Sequence, residues 1–436
     1  MIKTTHYQIT LYPIKNCQLT HTACMQNRHN DDKVSPNRIN NKEVELNQLE
    51  ARINNSVALA WRCLVIAVLN LSQHKIRTAT ASFGIIFAIF LIFLQLGFLQ
   101  SVKKEATLLY EYFDFDLAMI SKDYQFLYSP PSFDRIRLTQ ARSNPEVTDS
   151  FNLNVRITSW TNPESQITSS LLLLGLDQKP AFITDTAIKK GISALTDQRS
   201  ILLDSYSHSD LGARKINDKG EISNHDVTVS NLFQLGLFFY AEGAAIVNNQ
   251  HFNYYAKRSS RDTSIGFLRV KPDSDIQKIK SQLNAMLPDD VQLLTKAELI
   301  QQEQNYFVNT KPIGIIFKAG VFIALVIGSV ILFQVLSAEI NNRMREFATL
   351  KAIGFSDSFV YGIGATQTLI FTLLGYIPAL ILANLVFNLV YNLTHLPTMV
   401  SFYLMSVVFF LVLGMSLFAG VTTLYKVRRA DPVELF

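Results

Sequence analysis

Three groups of residues in this 436-residue chain are of types that could do chemistry, and the first is a serine, histidine and acid cluster. Ser205, His208 and Asp210 are the residue types of a hydrolytic triad. Side chains of a triad converge from different directions, so three near neighbours in sequence are better interpreted as a polar loop. The chain also has no HExxH, GxSxG or GxxxxGK[ST] motif. The sequence therefore indicates neither hydrolysis nor ATP binding by this chain.

The second group consists of Cys17, His21 and Cys24, which are metal-ligand types at short spacing. A structural zinc site needs four ligands, and no fourth ligand lies nearby. The remaining cysteine, Cys63, also lies near the start of the chain, so the long middle segment has no cysteine from which to build a disulfide framework. We predict no metal site and no cofactor bound by this chain.

The third group is a charged segment that runs from Glu339 to Phe355. It has helix-forming residues up to Gly354, which suits a helix C-cap. One edge is apolar and the other faces carry charge. Such a helix either lies solvated on a membrane surface or docks into the groove of a partner protein. The candidate docking residues are Glu339, Arg343, Arg345, Glu346, Phe347, Leu350, Lys351, Gly354 and Phe355.

Four apolar stretches are long enough to be transmembrane helices, since about 20 apolar residues cross the hydrocarbon core as a helix. The charged segment lies between the second and the third of them. Overall, 48% of the residues are hydrophobic and 17% are charged, which suits neither a wholly soluble protein nor a wholly membrane-embedded one. Pro378 is the expected kink in the third stretch. The predicted spans are residues 78–101, 313–336, 361–391 and 401–425.

The distribution of Lys and Arg predicts the orientation of these spans. Three basic clusters fall on one side, which we assign to the cytoplasm. Lys103, Lys104 and Lys311 fall on the other side, but they flank a long segment, and long segments translocate largely regardless of charge. Both termini are then cytoplasmic. The net charge of +5 is thus explained by basic residues at the cytoplasmic ends of the spans, and nucleic-acid binding is not indicated. The clusters are Lys75 and Arg77; Arg343, Arg345 and Lys351; and Lys426, Arg428 and Arg429.

The remaining segments complete the predicted organisation of the chain. Residues 1–53 are polar and Asn-rich and are predicted to be disordered. Residues 54–77 are predicted to lie in the membrane interface, with a fifth span over Val57–Leu71 as the alternative. Residues 337–360 form the cytoplasmic segment, and 426–436 form a cytoplasmic tail.

Residues 102–312 are predicted to form an α+β domain outside the cytoplasm. Residues 151–160 and 166–176 read as two strands of a hairpin, separated by a turn at 162–165. Further along, residues 265–270 and 291–294 read as strands on either side of an amphipathic helix at 275–287. A helix from about residue 298 to 309 is expected to lead into the second span.

Small residues and one charge mark the faces of the spans. Gly320, Ala324 and Gly328 recur at four-residue spacing, which permits close helix contact, either in a dimer seam or within one subunit. Gly375, Ala379 and Ala383 repeat this pattern in the third span. Lys318 is the only acid or base inside the spans, and it is close enough to the outer end to snorkel out of the membrane.

The segment Arg343–Phe355 resembles the cytoplasmic segment of the FtsX/MacB-type permeases of ABC transporters, and within them the DevC group of cyanobacteria. Shorter pieces in the same order strengthen the resemblance, which covers about residue 55 to the end. They are Ala58-Leu59-Ala60-Trp61, Gln95-Leu96-Gly97-Phe98, Thr310-Lys311-Pro312-Ile313-Gly314 and the tail Arg429–Phe436.

The resemblance implies a multi-pass protein of the bacterial inner membrane with four spans and a periplasmic domain after the first. It also implies a homodimer surrounded by membrane lipid, a separate ATPase subunit that binds ATP-Mg, a periplasmic membrane-fusion protein and a TolC-like outer-membrane channel. MacB-like machines move their outer domains without a substrate tunnel through the spans. The DevC group is associated with glycolipid export. Two alternatives in the same superfamily are a lipoprotein-releasing permease and an FtsX-like regulator of a cell-wall hydrolase.

Overall fold

The structure of the protein is a computed structural model, and it describes residues 75–213, 215–236, 240–342 and 344–429. The predicted extension 1–53, nearly all of the predicted interfacial segment 54–77, and the residues from 430 onwards lie outside the described residues. Arg343 and the cysteine-histidine group at 17–24 also lie outside them.

Ten α-helices and eleven strands are formed by the described residues. The helices are α1 Lys75–Glu111, α2 Ile136–Ala141, α3 Thr186–Gly191, α4 Asn249–Ala256, α5 Ile276–Met286, α6 Lys296–Asn309, α7 Pro312–Asn342, α8 Met344–Ala352, α9 Asp357–Thr394 and α10 Phe402–Arg429. The strands are β1 Leu117–Ser121, β2 Phe133–Asp134, β3 Val147–Thr161, β4 Thr168–Leu176, β5 Ser200–Asp204, β6 Lys219–Ile222, β7 His225–Phe233, β8 Gly243–Asn248, β9 Asp262–Thr263, β10 Ile265–Val270 and β11 Val291–Thr295.

Four helices of the described chain, α1, α7, α9 and α10, are long and apolar enough to cross a membrane. All the strands lie between α1 and α7, in an α+β domain that we call the outer domain. The predicted fold class is therefore confirmed. The main difference is the length of α1, which continues beyond the predicted end of the first span, residue 101, to Glu111. At 1.5 Å per residue its 37 residues span roughly 55 Å, so one rigid element joins the membrane to the outer domain.

Close contacts on α1 hold the four-helix bundle together. A Cβ at Gly97 would overlap the Phe387 ring of α9, and a Cβ at Gly375 would overlap Ile85 of α1. Fully buried Ile85, Ile89 and Phe93 of α1 form the core of the bundle with residues of α7, α9 and α10. Small residues at these crossings let the backbones approach closely, which is the usual means of helix association in lipid.

The outer domain is built on a nine-stranded mixed sheet in the order β11-β1-β10-β3-β4-β8-β5-β7-β6. β3 and β4 form the predicted antiparallel hairpin, with Thr161 opposite Thr168 across the turn. The predicted strand at 265–270 is β10, and Asp275 caps the predicted amphipathic helix, α5, by accepting hydrogen bonds from the backbone of Gln277 and Lys278.

The joint between α6 and α7 is an unusually tight place in the backbone. A Cβ at Gly314 would overlap the carbonyl oxygen of Phe307 and lie 2.5 Å from Cα of Val308. Backbone atoms cannot rotate away, unlike the end of a side chain. The outer domain is therefore connected to the second span through a compact elbow that requires glycine.

We expect Gly314→Ala to destabilise the protein by about 1–3 kcal/mol, because the added methyl overpacks this elbow. Gly414→Ala is the matched control, since no atom lies within 4 Å of a Cβ at that position in α10. Thermal unfolding in detergent micelles measures both variants. Equal melting temperatures for Gly314→Ala and the unsubstituted protein would show that the elbow is loose.

Candidate functional site

The segment between α7 and α9, residues 337–360, is the candidate coupling segment, and α8 is its centre. α8 ends in a Schellman-type turn, in which the Phe355 amide donates to the Leu350 carbonyl oxygen at 3.1 Å. Gly354 occupies the left-handed position of this turn with φ of +100°. The structure thus places Gly354 as the C-terminal cap that the sequence predicts. This turn ends α8 before α9 begins at Asp357.

The candidate docking residues divide between surface and interior. Arg345, Glu346, Gly354 and Phe355 are exposed, as is Ile353, whose side chain is 71% accessible. An adjoining exposed charge and exposed apolar side chain are what a helix presents to a partner's groove. These five residues form what we call the coupling surface.

Other predicted docking residues lie elsewhere. Glu339 of α7 is only 6% exposed. Its carboxylate is therefore buried within this chain and is not on the surface that another protein could contact. Leu350 is partly buried against Ile340, Phe359 and Ile363 of the same chain. The predicted apolar edge is therefore divided, with Leu350 facing inward and Ile353 outward. The side chains of Phe347 and Lys351, together with all of Arg343, lie outside the described part of the chain.

We expect Gly354→Val to unfold the turn after α8 locally, because a β-branched residue is strained by about 1–3 kcal/mol at this φ. No atom lies within 4 Å of a Cβ at this position, so the effect would come from the backbone alone. Limited trypsin digestion at Arg345 measures it, and cleavage should accelerate by roughly fivefold or more. Gly354→Asn should be milder, since Asn tolerates the left-handed region. Identical cleavage rates for Val and Gly would contradict the role of the turn.

The stripe of small residues on α7 packs within the chain. A Cβ at Gly320 would overlap Gln95 of α1, and one at Gly328 would lie 3.1 Å from Ile92 of α1. Ala324, between them, is 5% exposed. Within the described chain this stripe packs against α1. Its use as a dimer seam stays a prediction.

Lysines at the outer ends of the spans have local partners. The Lys318 ammonium donates to the Asn309 side-chain oxygen at 2.8 Å, so it reaches out of the span towards α6 as the snorkelling interpretation predicts. Lys311 lies 3.7 Å from the centroid of the Phe126 ring, a cation–π contact. Lys104 pairs with Glu111. Lys104 and Lys311 are two of the three lysines that count against the predicted orientation.

A buried carboxylate connects α1 and α6, and sequence reasoning missed it. Glu303 of α6 is fully buried and accepts hydrogen bonds from the hydroxyls of Tyr110 of α1, at 3.0 Å, and of Tyr124. The backbone amide of Leu127 donates to its other oxygen at 3.3 Å. Burial raises the pKa of Glu303 from 4.5 to about 7, although the three hydrogen bonds oppose this shift. We call these four residues the carboxylate clamp.

Polar side chains inside the bundle were also missed, because the spans read as almost purely apolar. Gln367 of α9 is 2% exposed, and among the described residues neither atom of its amide has a hydrogen-bond partner. Ser416 of α10 is fully buried, and its hydroxyl likewise has no partner among the described residues. Buried polar groups at membrane depth are rare and are commonly tied to function.

The serine, histidine and acid group does not form a triad. The hydroxyl of Ser205 donates to the backbone oxygen of Phe233 at 3.0 Å, and the partner of His208 is Asp210, 3.2 Å away. His208 and Asp210 are about half exposed. No cluster of three or more His, Cys, Asp or Glu side chains that could hold a metal is found among the described residues. The arrangement is the polar loop that the sequence predicts.

Comparison with known proteins identifies the C-terminal part of the chain. Residues 318–432 match the family model of the FtsX-like permease C-terminal domain. This stretch contains most of α7, the coupling segment, α9 and all of α10. No curated protein matches the chain.

Three solved structures are similar to part of the chain. The extracellular domain of the noncanonic ABC-type transporter YknZ from Gram-positive bacteria is 14% identical, with a TM-score of 0.28 over 41% of this chain and 98% of that one. The periplasmic region of MacB from Actinobacillus actinomycetemcomitans is 9% identical, with a TM-score of 0.31 over 45% and 96%. A domain of a protein described as a permease, from Porphyromonas gingivalis, is 11% identical, with a TM-score of 0.27 over 42% of this chain and 92% of that one.

Proposed function

We propose that this chain is the permease subunit of an ABC-type exporter of the FtsX/MacB type, which hydrolyses no ATP itself. The observation that carries the proposal is the family match over residues 318–432, which contains the coupling surface. The four membrane helices and the outer domain between the first two support it. A separate ATPase subunit binds and hydrolyses ATP-Mg on the cytoplasmic side, where the coupling surface and both termini lie.

The order of elements suggests how movement crosses the membrane. α7 begins at the elbow with α6, crosses the membrane and ends at Asn342, next to α8. A displacement of α8 by the ATPase is passed along α7 to α6, and from α6 through the carboxylate clamp to α1. Long helices transmit force well because packed elements move as rigid bodies rather than deforming continuously. The outer domain therefore moves when the coupling surface moves.

The finer assignment follows the resemblance of the cytoplasmic segment to the DevC group. On this proposal the chain acts as a homodimer in the bacterial inner membrane. A periplasmic membrane-fusion protein and a TolC-like outer-membrane channel complete the assembly, and glycolipid is the exported substrate.

Co-purification from the native membrane with a tag on the chain tests the proposal. An ATPase, a membrane-fusion protein and an outer-membrane channel should be recovered together. Recovery of an ATPase with a lipoprotein chaperone would favour lipoprotein release instead, and recovery with a cell-wall hydrolase would favour regulation. Recovery without any ATPase would contradict all three. Gly414→Ala serves as the matched preparation, because the substitution meets no neighbouring atom.

A further inference from the structure

A polar cavity in the outer domain opens where β4 and β8 end side by side. These two strands are parallel, and their last residues, Leu176 and Asn248, are register partners. The chain then turns at Asp177 after β4 and enters α4 at Asn249 after β8. The cavity has a volume of about 360 Å³. Carboxyl ends of neighbouring parallel strands are a common place for ligands, because the chain diverges there and leaves a crevice.

The alternation of β3 supplies one wall of this cavity. Phe151, Leu153 and Val155 point into the main core of the domain. Asn152 and Asn154 must then face the opposite side of the sheet, and both line the cavity. An apolar residue would be the ordinary choice at such buried positions, since Asn152 is 3% and Asn154 2% exposed.

Hydrogen bonds make the floor of the cavity rigid. The Asn249 side-chain amide donates to Asp177 Oδ1 at 2.9 Å and accepts from the Asn154 amide at 2.6 Å. The other oxygen of Asp177 accepts from the Asn152 backbone amide at 3.0 Å. These three side chains are therefore held in place before any ligand arrives, which lowers the entropy cost of binding.

Two buried oxygens in the wall have no donor. Neither Asn152 Oδ1 nor Asn253 Oδ1 has a hydrogen-bond partner among the described residues, although both atoms are shielded from the surface. Leaving a buried acceptor unsatisfied costs about 1–3 kcal/mol. A ligand that donates hydrogen bonds into the cavity would remove this cost, so the two oxygens point to a ligand with several donors.

The residue types and charges around the cavity indicate the chemical class of its ligand. Of the ten side chains around the cavity, seven are Asn or Gln amides, and the charged pair Arg135 and Asp177 balances to zero. Amides both donate and accept, as hydroxyl groups do. An anion would require an excess of positive charge, and an acyl chain would require apolar walls. The volume lies at the small end of the usual range for ligand cavities.

We propose that this cavity binds a single uncharged sugar unit, of hexose size, through its amide side chains. The sugar is either a free saccharide or the sugar of a larger conjugate, because both present the same hydroxyl groups. This inference goes beyond the proposed function, since it assigns a binding site to the outer domain whatever the exported substrate is.

Ligand-observed saturation-transfer NMR on the full chain tests the proposal. The protein is purified in a detergent without a sugar headgroup, because alkyl maltosides would compete for the site. Glucose, galactose and mannose are the probes, and at least one should receive saturation. The methyl glycoside of the sugar that binds then separates the sources, since retained binding indicates that a conjugated sugar fits and lost binding that only a free one does. Glycylglycine is the control probe that is not a sugar. If no sugar receives saturation, whether or not glycylglycine does, the proposal is overturned.

Two variants locate the binding to this cavity. Asn253→Ala removes one unpartnered oxygen at a partly buried position and should weaken binding by about threefold or more. Combined with Asn152→Ala, the loss should reach about tenfold. Gln277→Ala, an exposed amide on α5 away from the cavity, is the matched control and should bind as before. If the control weakens binding equally, the site is elsewhere. The assay contains no ATPase, so its failure leaves the proposed function standing.

Discussion

Replacing Glu346 and Lys351 with alanine is expected to lower ATP-driven export by about tenfold or more while leaving the membrane and outer domains folded. Glu346 lies exposed on α8, and the sequence places Lys351 on the same helix. Hydrogen bonds to charged groups contribute about 1.5–3 kcal/mol each, and 1.4 kcal/mol corresponds to tenfold. ATPase activity and transport in reconstituted complexes measure the effect.

A matched pair on the outer domain controls for a general effect of removing charge. Lys219 and Glu221 lie on β6, distant in sequence from the coupling segment. Their replacement by alanine should leave the coupling of hydrolysis to transport unchanged. If the Glu346 and Lys351 variant transports as much substrate per ATP hydrolysed as the unsubstituted complex, the coupling surface does not transmit the movement. An equal loss in the β6 variant would show that the effect is not specific to α8.

The second large effect expected is a pH-dependent stability that comes from Glu303. Its pKa in the folded protein is raised by burial from 4.5 to about 7, so the folded state holds a proton in this interval that the unfolded state has released. Stability from this group is therefore greatest below about pH 4.5, falls as the pH rises through about 7, and is level above that. At 1.36 kcal/mol per pKa unit the full loss is roughly 3 kcal/mol.

Glu303→Gln should abolish this part of the pH dependence. The amide keeps an oxygen for the hydroxyls of Tyr110 and Tyr124 but carries no charge to desolvate. We expect its melting temperature at pH 8 to exceed that of the unsubstituted protein by about 5 °C or more, and the difference to shrink at pH 5. Melting curves from pH 5 to 8 in detergent measure it.

Glu298 on the same helix offers a control of opposite sign. Burial tends to raise its pKa, but hydrogen bonds with Lys280 and Thr295 outweigh burial and lower the pKa below its usual value. Its contribution is therefore present above the unfolded pKa and lost as the pH falls. Glu298→Gln should destabilise the protein at pH 8. Parallel melting curves for Glu303→Gln and the unsubstituted protein at every pH would contradict the clamp.

Features with a local cause could be predicted from the sequence. Spans follow from the length of apolar runs, and the hairpin of β3 and β4 follows from alternation on either side of Asn162–Ser165. Gly354 could be recognised as a helix cap because capping involves residues only a few positions apart. In each case the physical signal lies within a single short window.

Features that join distant parts of the chain could not be predicted. The carboxylate clamp brings Glu303 to Tyr110, which is 193 residues away. The sequence suggested a close contact at Gly320 but not its partner, Gln95, because that depends on how α1 and α7 cross. The amides of the sugar cavity come from strands and loops that only the sheet order places together.

Cysteine accessibility on the two sides of the membrane tests the central claim most directly. With Cys17, Cys24 and Cys63 replaced by serine, single cysteines are introduced at Lys219 of the outer domain and Thr349 of α8, both of which are exposed. In intact spheroplasts a membrane-impermeant maleimide should label Lys219→Cys at once and Thr349→Cys only after permeabilisation. Labelling of Thr349→Cys before permeabilisation, with Lys219→Cys protected, would contradict the account.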